Sequence, residues 1–329
     1  MHRFALQISP MTPLLMAALL FLTGCGDQRA NTNADADTGG RAAPAEDPST
    51  PFRLGFLPSE RAADFAAKAD TLKEYLAREM GVPVEVQIPT AYEPLIEALR
   101  FGNLDASFMD SAPAWIAHQR AGAEVVLAER REDGSTYYWG TGFTRADSDI
   151  DSLDDLVGKR VAHTSWTGSS GFVLPIGTMV NQGLIRPEGN EFPDLQRAME
   201  RTFASYTMAG GYKAAMELLA RGQVDAAFGA DDAAERFLEP AQRARVKEFV
   251  RLGRVPSHPI VVRRDLSPAR REAFVNAMLK LTRERPDIYR ELYGVEGVVP
   301  TTTEEHLGDF GQAVSNLPGL HAQFLGNRG

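Results

Sequence analysis

Apolar positions along the chain follow two rhythms, a period near two and a period near 3.6, and the switches between them mark out elements. Residues 52–58, FRLGFLP, read as a strand. Ser59 stands at an N-cap position before a helix whose apolar face carries Phe65, Leu72, Leu76 and Met80 and which stops at Gly81. In VPVEVQI, residues 82–88, Val82, Val84, Val86 and Ile88 alternate as in a strand. YEPLIEALRF (92–101) is helical and closed by Gly102, LDASFM (104–109) is the next strand, PAWIAHQR (113–120) is helical and EVVLA (124–128) is extended. This β-α-β-α-β order predicts a mostly parallel sheet with crossover helices.

Residues 137–145, YYWGTGFTR, are extended and carry two glycines, and the pattern then restarts. SLDDLVG is a short helix, KRVAHT a strand, TSWTGSSGFVLP (164–175) a loop, and a helix runs on to Gly183. RTFAS (201–205) reads as a strand, GYKAAMELLARG as a helix, VDAAFGA as a strand and VKEFVRLGRV as extended. HPIVVRRDL leads to Ser267-Pro268, a helix start with Phe274, Met278 and Leu281 on one face. EALRFGNLDASF (97–108) matches ELLARGQVDAAF (217–228): in each a helix stops at glycine and a strand opens with hydrophobe-Asp-Ala. Two α/β units follow, one inserted in the other: lobe 1 over 52–141 plus 254–329, lobe 2 over 142–253. Extended crossings near 140–145 and 250–257 serve as hinges. In such sheets ligands bind beyond the strand carboxyl ends. Ser59, Tyr92, Asp110, Ser111, the 164–175 loop and Asp231 all fall there.

The first fifty residues do not fit this picture. PLLMAALLFL (13–22) is an apolar run too short to span a bilayer comfortably, and it leads into Leu22-Thr23-Gly24-Cys25. This is similar to a bacterial lipobox, in which the cysteine is acylated. Residues 1–24 are then a signal peptide and Cys25, the single cysteine, is the lipid attachment point. Residues 26–51 are rich in Ala, Asp, Gly, Pro and Thr and read as a flexible tether. The net charge of −9 argues against a nucleic-acid partner, whose affinity rests on Lys and Arg. It leaves room for a small anion, which backbone amides and hydroxyls can hold.

The 164–175 loop has the parts of an anion cradle. Gly168 and Gly171 let the backbone turn, Thr167, Ser169 and Ser170 bring hydroxyls, and the amides of the following helix start point outward. A glycine-serine turn with a capping serine has the same composition, and local sequence leaves both open. Asp231-Asp232 is either a carboxylate pair or a helix cap. There is no GxxxxGK[ST] nucleotide loop and no GxSxG elbow, and the six histidines form no metal-binding pair. No cofactor and no metal are expected.

Several stretches, in order, resemble the phosphonate/phosphite/phosphate substrate-binding proteins of ABC importers. They are FRLGFLPSE, GVPVEVQIPTAYEPLIEALRFGNLDASF, YYWGTGFTRADSDIDSLDDLVGKRVA, TGSSGFVLP, GQVDAAFGADD and HPIVVRRDLSP, and they cover residues 52–285. The resemblance implies a type II periplasmic-binding fold of two lobes closing on an oxyanion without catalysis. It implies a membrane-tethered, extracytoplasmic monomer that delivers its ligand to an ABC permease. Ligand presentation to a sensor kinase, or serine-dependent hydrolysis on the same scaffold, are the alternatives. By the resemblance Tyr92 donates to the anion, Ser169, Ser170 and Gly171 form its loop, Tyr138 or Trp139 is the aromatic at the crossing, and Asp231 accepts from a protonated oxygen or an amine. Three departures stand out. Gly168 replaces the usual first loop hydroxyl, Gly210-Gly211 stand where a histidine is common, and Asp110-Ser111 replace Gly-Pro. Losing a cation and gaining a carboxylate disfavours a dianion as ligand.

Overall fold

The computed structural model describes residues 49–56 and 62–320, with side chains from Ala66 onward in the second stretch. The signal segment, Cys25, nearly all of the tether, the Ser59 cap and the placement of the Phe65 side chain lie outside the described residues.

Eleven strands among the described residues form two sheets. The first contains β1 (Phe52–Gly55), β2 (Val84–Gln87), β3 (Ala106–Phe108), β4 (Glu124–Arg130), β10 (Pro259–Val262) and β11 (Gly297–Pro300), ordered β11-β4-β10-β3-β1-β2. The second contains β5 (Tyr137–Arg145), β6 (Arg160–His163), β7 (Ser205–Met208), β8 (Ala226–Ala230) and β9 (Val246–Pro256), ordered β7-β6-β8-β5-β9. Parallel trios, β2-β1-β3 and β7-β6-β8, occupy the predicted βαβ segments. Strands that return from the other lobe, β10 in the first sheet and β5 in the second, pair antiparallel. The expected two-lobed α/β architecture is present, but the sheets are mixed where mostly parallel ones were expected: among the described residues four strand pairs are parallel and five antiparallel, because strands crossing between lobes enter against the parallel trios.

Helices α1 (Ala62–Met80), α2 (Tyr92–Arg100) and α3 (Ser111–Ala121) connect the first strands. In the second lobe lie α4 (Leu174–Asn181), α5 (Phe192–Thr202), α6 (Tyr212–Ala220), and the short α7 (Ala233–Phe237) and α8 (Pro240–Arg243). Then come α9 (Pro268–Glu284), α10 (Pro286–Tyr293) and α11 (Thr303–Ser315). The strand expected at 201–205 is displaced: α5 runs through Thr202 and β7 begins at Ser205. A reciprocal cap between Glu191 and Asp194, with a proline in the first turn, starts α5 and carries it past the β-branched residues.

The repeated hydrophobe-Asp-Ala motif does the same work in both lobes. Asp105 accepts a hydrogen bond from the Arg53 amide at 2.8 Å, and its own amide donates to the Arg53 carbonyl at 2.9 Å. Asp225 accepts from the Arg160 amide at 3.0 Å and donates back to the Arg160 carbonyl at 2.8 Å. Each aspartate also holds a guanidinium, Arg263 at 2.9 Å and Arg160 at 2.7 Å. The motif thus ties the opening of one strand to its parallel neighbour.

The boundaries expected at 141/142 and 253/254 fall inside β5 and β9. These two strands pair from Tyr137–Pro256 to Arg145–Val246, with register shifts between Gly140 and Thr141 and between Gly142 and Phe143, all within the second sheet. Sheet membership changes instead between Arg130 and Tyr137 and between Pro256 and Pro259, so the crossings are 131–136 and Ser257-His258. The ladder is possible at this depth because Gly140 and Gly142 lack side chains: a Cβ at Gly140 would overlap Leu174, and one at Gly142 would overlap Phe249 and Val250. The crossings touch one another, with the Ser257 amide donating to the Thr136 carbonyl at 2.9 Å.

An apolar cluster runs across both lobes, and α11 lies at its centre. Leu307, Phe310 and Val314 pack with Ala112 and Ile116 of α3 and with Ile176 of α4. Gly311 sits directly under the Trp115 ring, whose Nε1 donates to Ser315 Oγ at 2.8 Å. This helix holds the two sheets in register around the space between them.

Candidate functional site

Between the lobes lies a cavity of about 630 Å³. Asp110, Tyr138, Ser169, Tyr212 and His258 line it, together with Arg131 and Asp232. Asp110, Tyr138 and Ser169 were singled out from sequence. Tyr212, His258, Arg131 and Asp232 as a lining residue were not.

The turn after β6 is built around one buried hydroxyl. Gly168 and Gly171 both close on Thr164, and a Cβ at either would overlap its Oγ1. Residues Ser169–Val173 form one wide helical turn in which the Phe172 and Val173 amides both donate to the Gly168 carbonyl, at 2.9 and 3.0 Å. Wide turns of this kind are rare and are frequently found at functional sites. The Ser169, Ser170 and Gly171 amides precede the first of these bonds, where a helix start presents donors and favours negative charge. Ser169 Oγ is buried in the cavity wall with no partner among the described residues. A buried hydroxyl left unbonded costs about 1–3 kcal/mol, so its neighbourhood is suited to an incoming acceptor. Ser170 Oγ lies 3.0 Å from the Tyr212 hydroxyl.

Two tyrosines, Tyr138 and Tyr212, converge on this turn, and a third, Tyr92, lies beside Asp110. The Tyr138 hydroxyl, beside Ser170 and Tyr212, is pushed well above the usual tyrosine range by burial first and by its phenolic neighbour second. Tyr212 is raised by burial and then by the charge of Asp110. Tyr92, at the first turn of α2, is raised well above its usual value by burial and then by the adjacent Asp110. All three are therefore neutral hydroxyl donors over the physiological range.

His163, the last residue of β6, is wholly buried behind the turn. Its Nδ1–H donates to the Gly171 carbonyl at 2.9 Å, its ring stacks on Phe228 at 5.8 Å, and Phe172 meets it edge-on. Burial lowers its pKa to about 4, against the weaker pull of the Gly171 carbonyl. A neutral imidazole at neutral pH is a prop for the turn and stands behind it, away from the cavity.

The opposite wall carries a carboxylate–imidazole–carboxylate trio. His258 Nε2 meets Asp110 Oδ1 at 3.0 Å, and its Nδ1 meets Glu129 Oε2 at 2.8 Å. Burial opposes charge on His258, but Glu129 and Asp110 outweigh it and raise its pKa well above the ordinary histidine value. An imidazolium thus enters the cavity from the second crossing, while Gly210-Gly211 leave the other lobe without one. Arg131 adds a guanidinium, 3.4 Å from Asp232 and over the Tyr138 ring at 5.6 Å.

The remaining expected residues lie close by in other roles. Ser111 Oγ donates to the Pro256 carbonyl at 2.7 Å and locks α3 to the end of β9. Thr167 Oγ1 is 3.3 Å from Ser165 Oγ, within the turn. The Asp231 amide donates to the Trp139 carbonyl at 2.9 Å; its Oδ1 is buried without a partner, and its neighbour Asp232 is the residue that lines the cavity. Among the described residues no group of histidine, cysteine and acidic side chains is arranged to hold a metal ion.

Comparison with known proteins follows the same lines. Over 230 residues the chain is 24% identical to the phosphonates-binding periplasmic protein of Escherichia coli, an alignment covering 68% of this chain and 64% of that one. It is 29% identical over 181 residues to the phosphate-import protein PhnD of Mycolicibacterium smegmatis, covering 54% of each. The chain thus spans between half and two thirds of the length of these curated relatives. In fold it is similar to PhnD1 of Prochlorococcus marinus in complex with methylphosphonate, with a TM-score of 0.61 at 14% identity, covering 82% of this chain and 100% of that one. XAC2383 of Xanthomonas citri superposes with a TM-score of 0.69 at 20% identity over 80% of this chain and 97% of its own. A family model described as "ABC transporter, phosphonate, periplasmic substrate-binding protein" matches residues 54–306. The chain belongs to the phosphonate-binding family of ABC-transporter periplasmic substrate-binding proteins.

Proposed function

We propose that this protein captures a small phosphorus oxyanion, a phosphonate, phosphite or phosphate, between its lobes and hands it to an ABC permease without chemical change. The observation that carries this reading is the buried, unpartnered Ser169 Oγ at the head of a wide helical turn, facing a cavity ringed by neutral tyrosine hydroxyls. Each hydrogen bond to an ionised oxygen is worth about 1.5–3 kcal/mol, so a few such donors supply micromolar affinity after the costs of ordering. Tyr92, Tyr138, Ser169, Ser170, Gly171 and Tyr212 serve the anion; Asp110, Ser111, Thr167 and Asp231 shape or complement the site. The relatives are named for phosphonate binding and phosphate import, which supports the choice of ligand class.

Capture proceeds by lobe closure about 131–136 and Ser257-His258, because a ligand touching both walls favours the closed form. The body is extracytoplasmic, monomeric and anchored through an acylated Cys25, as the residues around it suggest. Labelling of cells with a fatty-acid analogue tests the anchor: incorporation lost in Cys25→Ala is expected, and label retained in that variant contradicts it. For the site, calorimetric titration with methylphosphonate, phosphite and phosphate should give one site per chain, weakened at least tenfold in Ser169→Ala. Absence of binding by all three, or unchanged affinity in that variant, opposes the reading.

A further inference from the structure

Asp110 occupies the N-cap position of α3 with extended backbone angles, φ −67° and ψ 157°, yet its side chain caps nothing. An N-cap aspartate ordinarily accepts from the second or third helical amide, which is worth about 1 kcal/mol. Here the carboxylate is turned into the cavity instead, where His258 Nε2 binds one of its oxygens at 3.0 Å. His258 is shared with Glu129, which is 1% exposed and has Oε1 unpartnered among the described residues. Two carboxyl groups thus share this one imidazole. A carboxylate has about four lone-pair directions, and the contacts from His258 and from the Tyr92 hydroxyl leave acceptor capacity on Asp110.

The opposing wall, by contrast, offers donors: Ser169 Oγ and the hydroxyls of Tyr138 and Tyr212. An oxyanion held between the walls meets donors on one side and an acceptor-only group on the other. Oxygens of a fully ionised tetrahedral anion have nothing to donate to Asp110 and are repelled by it; an acidic O–H donates.

We infer that Asp110 accepts a hydrogen bond from a protonated oxygen of the guest, so that the site selects oxyanions carrying an acidic O–H and refuses anions of the same shape without one. This rests on the oxyanion-binding reading above and deepens it. The groups facing Asp110 are Tyr92 from α2, His258 from the second crossing with Glu129 of β4 behind it, and Tyr138 of β5 and Tyr212 of α6 across the cavity. Arg131 of the first crossing, Asp232 and Arg236 also line the cavity, and Tyr293 approaches the His258 ring at 5.9 Å. Tyr92, Tyr138 and Tyr212 have raised pKa values and hold their protons, so His258 is the protein group whose titration must be separated from that of the guest.

The test is a calorimetric pH series on the wild-type protein with two probes whose second pKa values differ, phosphite and methylphosphonate, and with sulfate as the proton-free isostere. For each phosphorus probe, Kd is expected to be flat below that probe's second pKa and to rise tenfold per pH unit above it, the break moving with the probe. Sulfate should bind at least a hundredfold more weakly than either. In Asp110→Asn, whose amide can donate, the pH dependence should flatten and sulfate should gain at least tenfold. A break at one common pH for both probes assigns the titration to the protein and overturns the inference. So does sulfate binding equal to that of the phosphorus anions. Either result leaves oxyanion binding itself standing, whereas no binding of any probe by the wild type removes both.

Discussion

Acidification loosens the anion turn through His163, and the size of the effect follows from the burial of that ring. The imidazole is 0% exposed and its pKa lies at about 4, against 6.5 for a free histidine. Between those values the unfolded chain binds more protons than the folded one, so stability falls as pH drops. The direction is that of a depressed value: the contribution is full above 6.5 and is lost as pH falls toward 4. Each pKa unit corresponds to 1.36 kcal/mol, so His163 costs the fold about 2 kcal/mol between pH 7 and pH 5. His163→Phe preserves a ring against Phe228 and Phe172 but removes the titration and the 2.9 Å bond to the Gly171 carbonyl. At pH 7 that variant is expected to be less stable by about 1–3 kcal/mol, because a buried carbonyl loses its donor. Chemical denaturation of both proteins at pH 7, 6 and 5 is the assay. Carboxylates and the other histidines titrate in both, so the difference between the curves isolates His163. The variant's disadvantage should shrink by about 2 kcal/mol at pH 5. Parallel curves across that range refute a buried, neutral His163.

Other substitutions probe the remaining parts. Gly171→Ala drives a methyl into the Thr164 side chain and should cost about 1–3 kcal/mol, read as a lowered Tm with weakened methylphosphonate binding. Asp105→Ala breaks a pair in which the aspartate side chain is 3% and Arg263 12% exposed, and should cost about 3 kcal/mol. Asp225→Ala, at the matching place in the second lobe, involves side chains 26% and 42% exposed and should cost about 1 kcal/mol by urea denaturation. His258 has the opposite sign to His163. Its raised pKa means a contribution fully present below 6.5 and lost as pH climbs through the folded value, so His258→Gln should be most destabilising below pH 6.5 and converge with wild type in alkali.

Periodicity made five of the six strands in the parallel trios legible, helped by glycine-closed helices such as those ending at Gly102 and Gly222; the sixth, β7, was expected four residues early. The repeated Asp105 and Asp225 were visible as a motif, and the structure supplies their shared bonding. The α5 helix was hidden because its capping pair is acidic at Glu191 and Asp194, not a serine or threonine. The lobe boundaries slipped because YYWGTGFTR contains no break: a hinge and a strand look alike when both are extended. At the site, Ser169 was marked out by local chemistry, Tyr138 by the family resemblance alone and Asp110 by its departure from the family pattern. Tyr212 and His258 were not, since one begins an ordinary amphipathic helix and the other precedes a strand. Their partners, Ser170 and Asp110 with Glu129, lie 42, 148 and 129 residues away, and only the fold joins them.

The central claim is that the turn at Ser169–Val173 holds an oxyanion between two lobes. Crystals grown with methylphosphonate test it most directly. The account predicts phosphonate oxygens within hydrogen-bonding distance of Ser169 Oγ and the turn amides, with Tyr138 or Tyr212 also in contact and both lobes touching the ligand. Methylphosphonate bound elsewhere on the protein, or the turn sealed against protein with no ligand oxygen near it, contradicts the account.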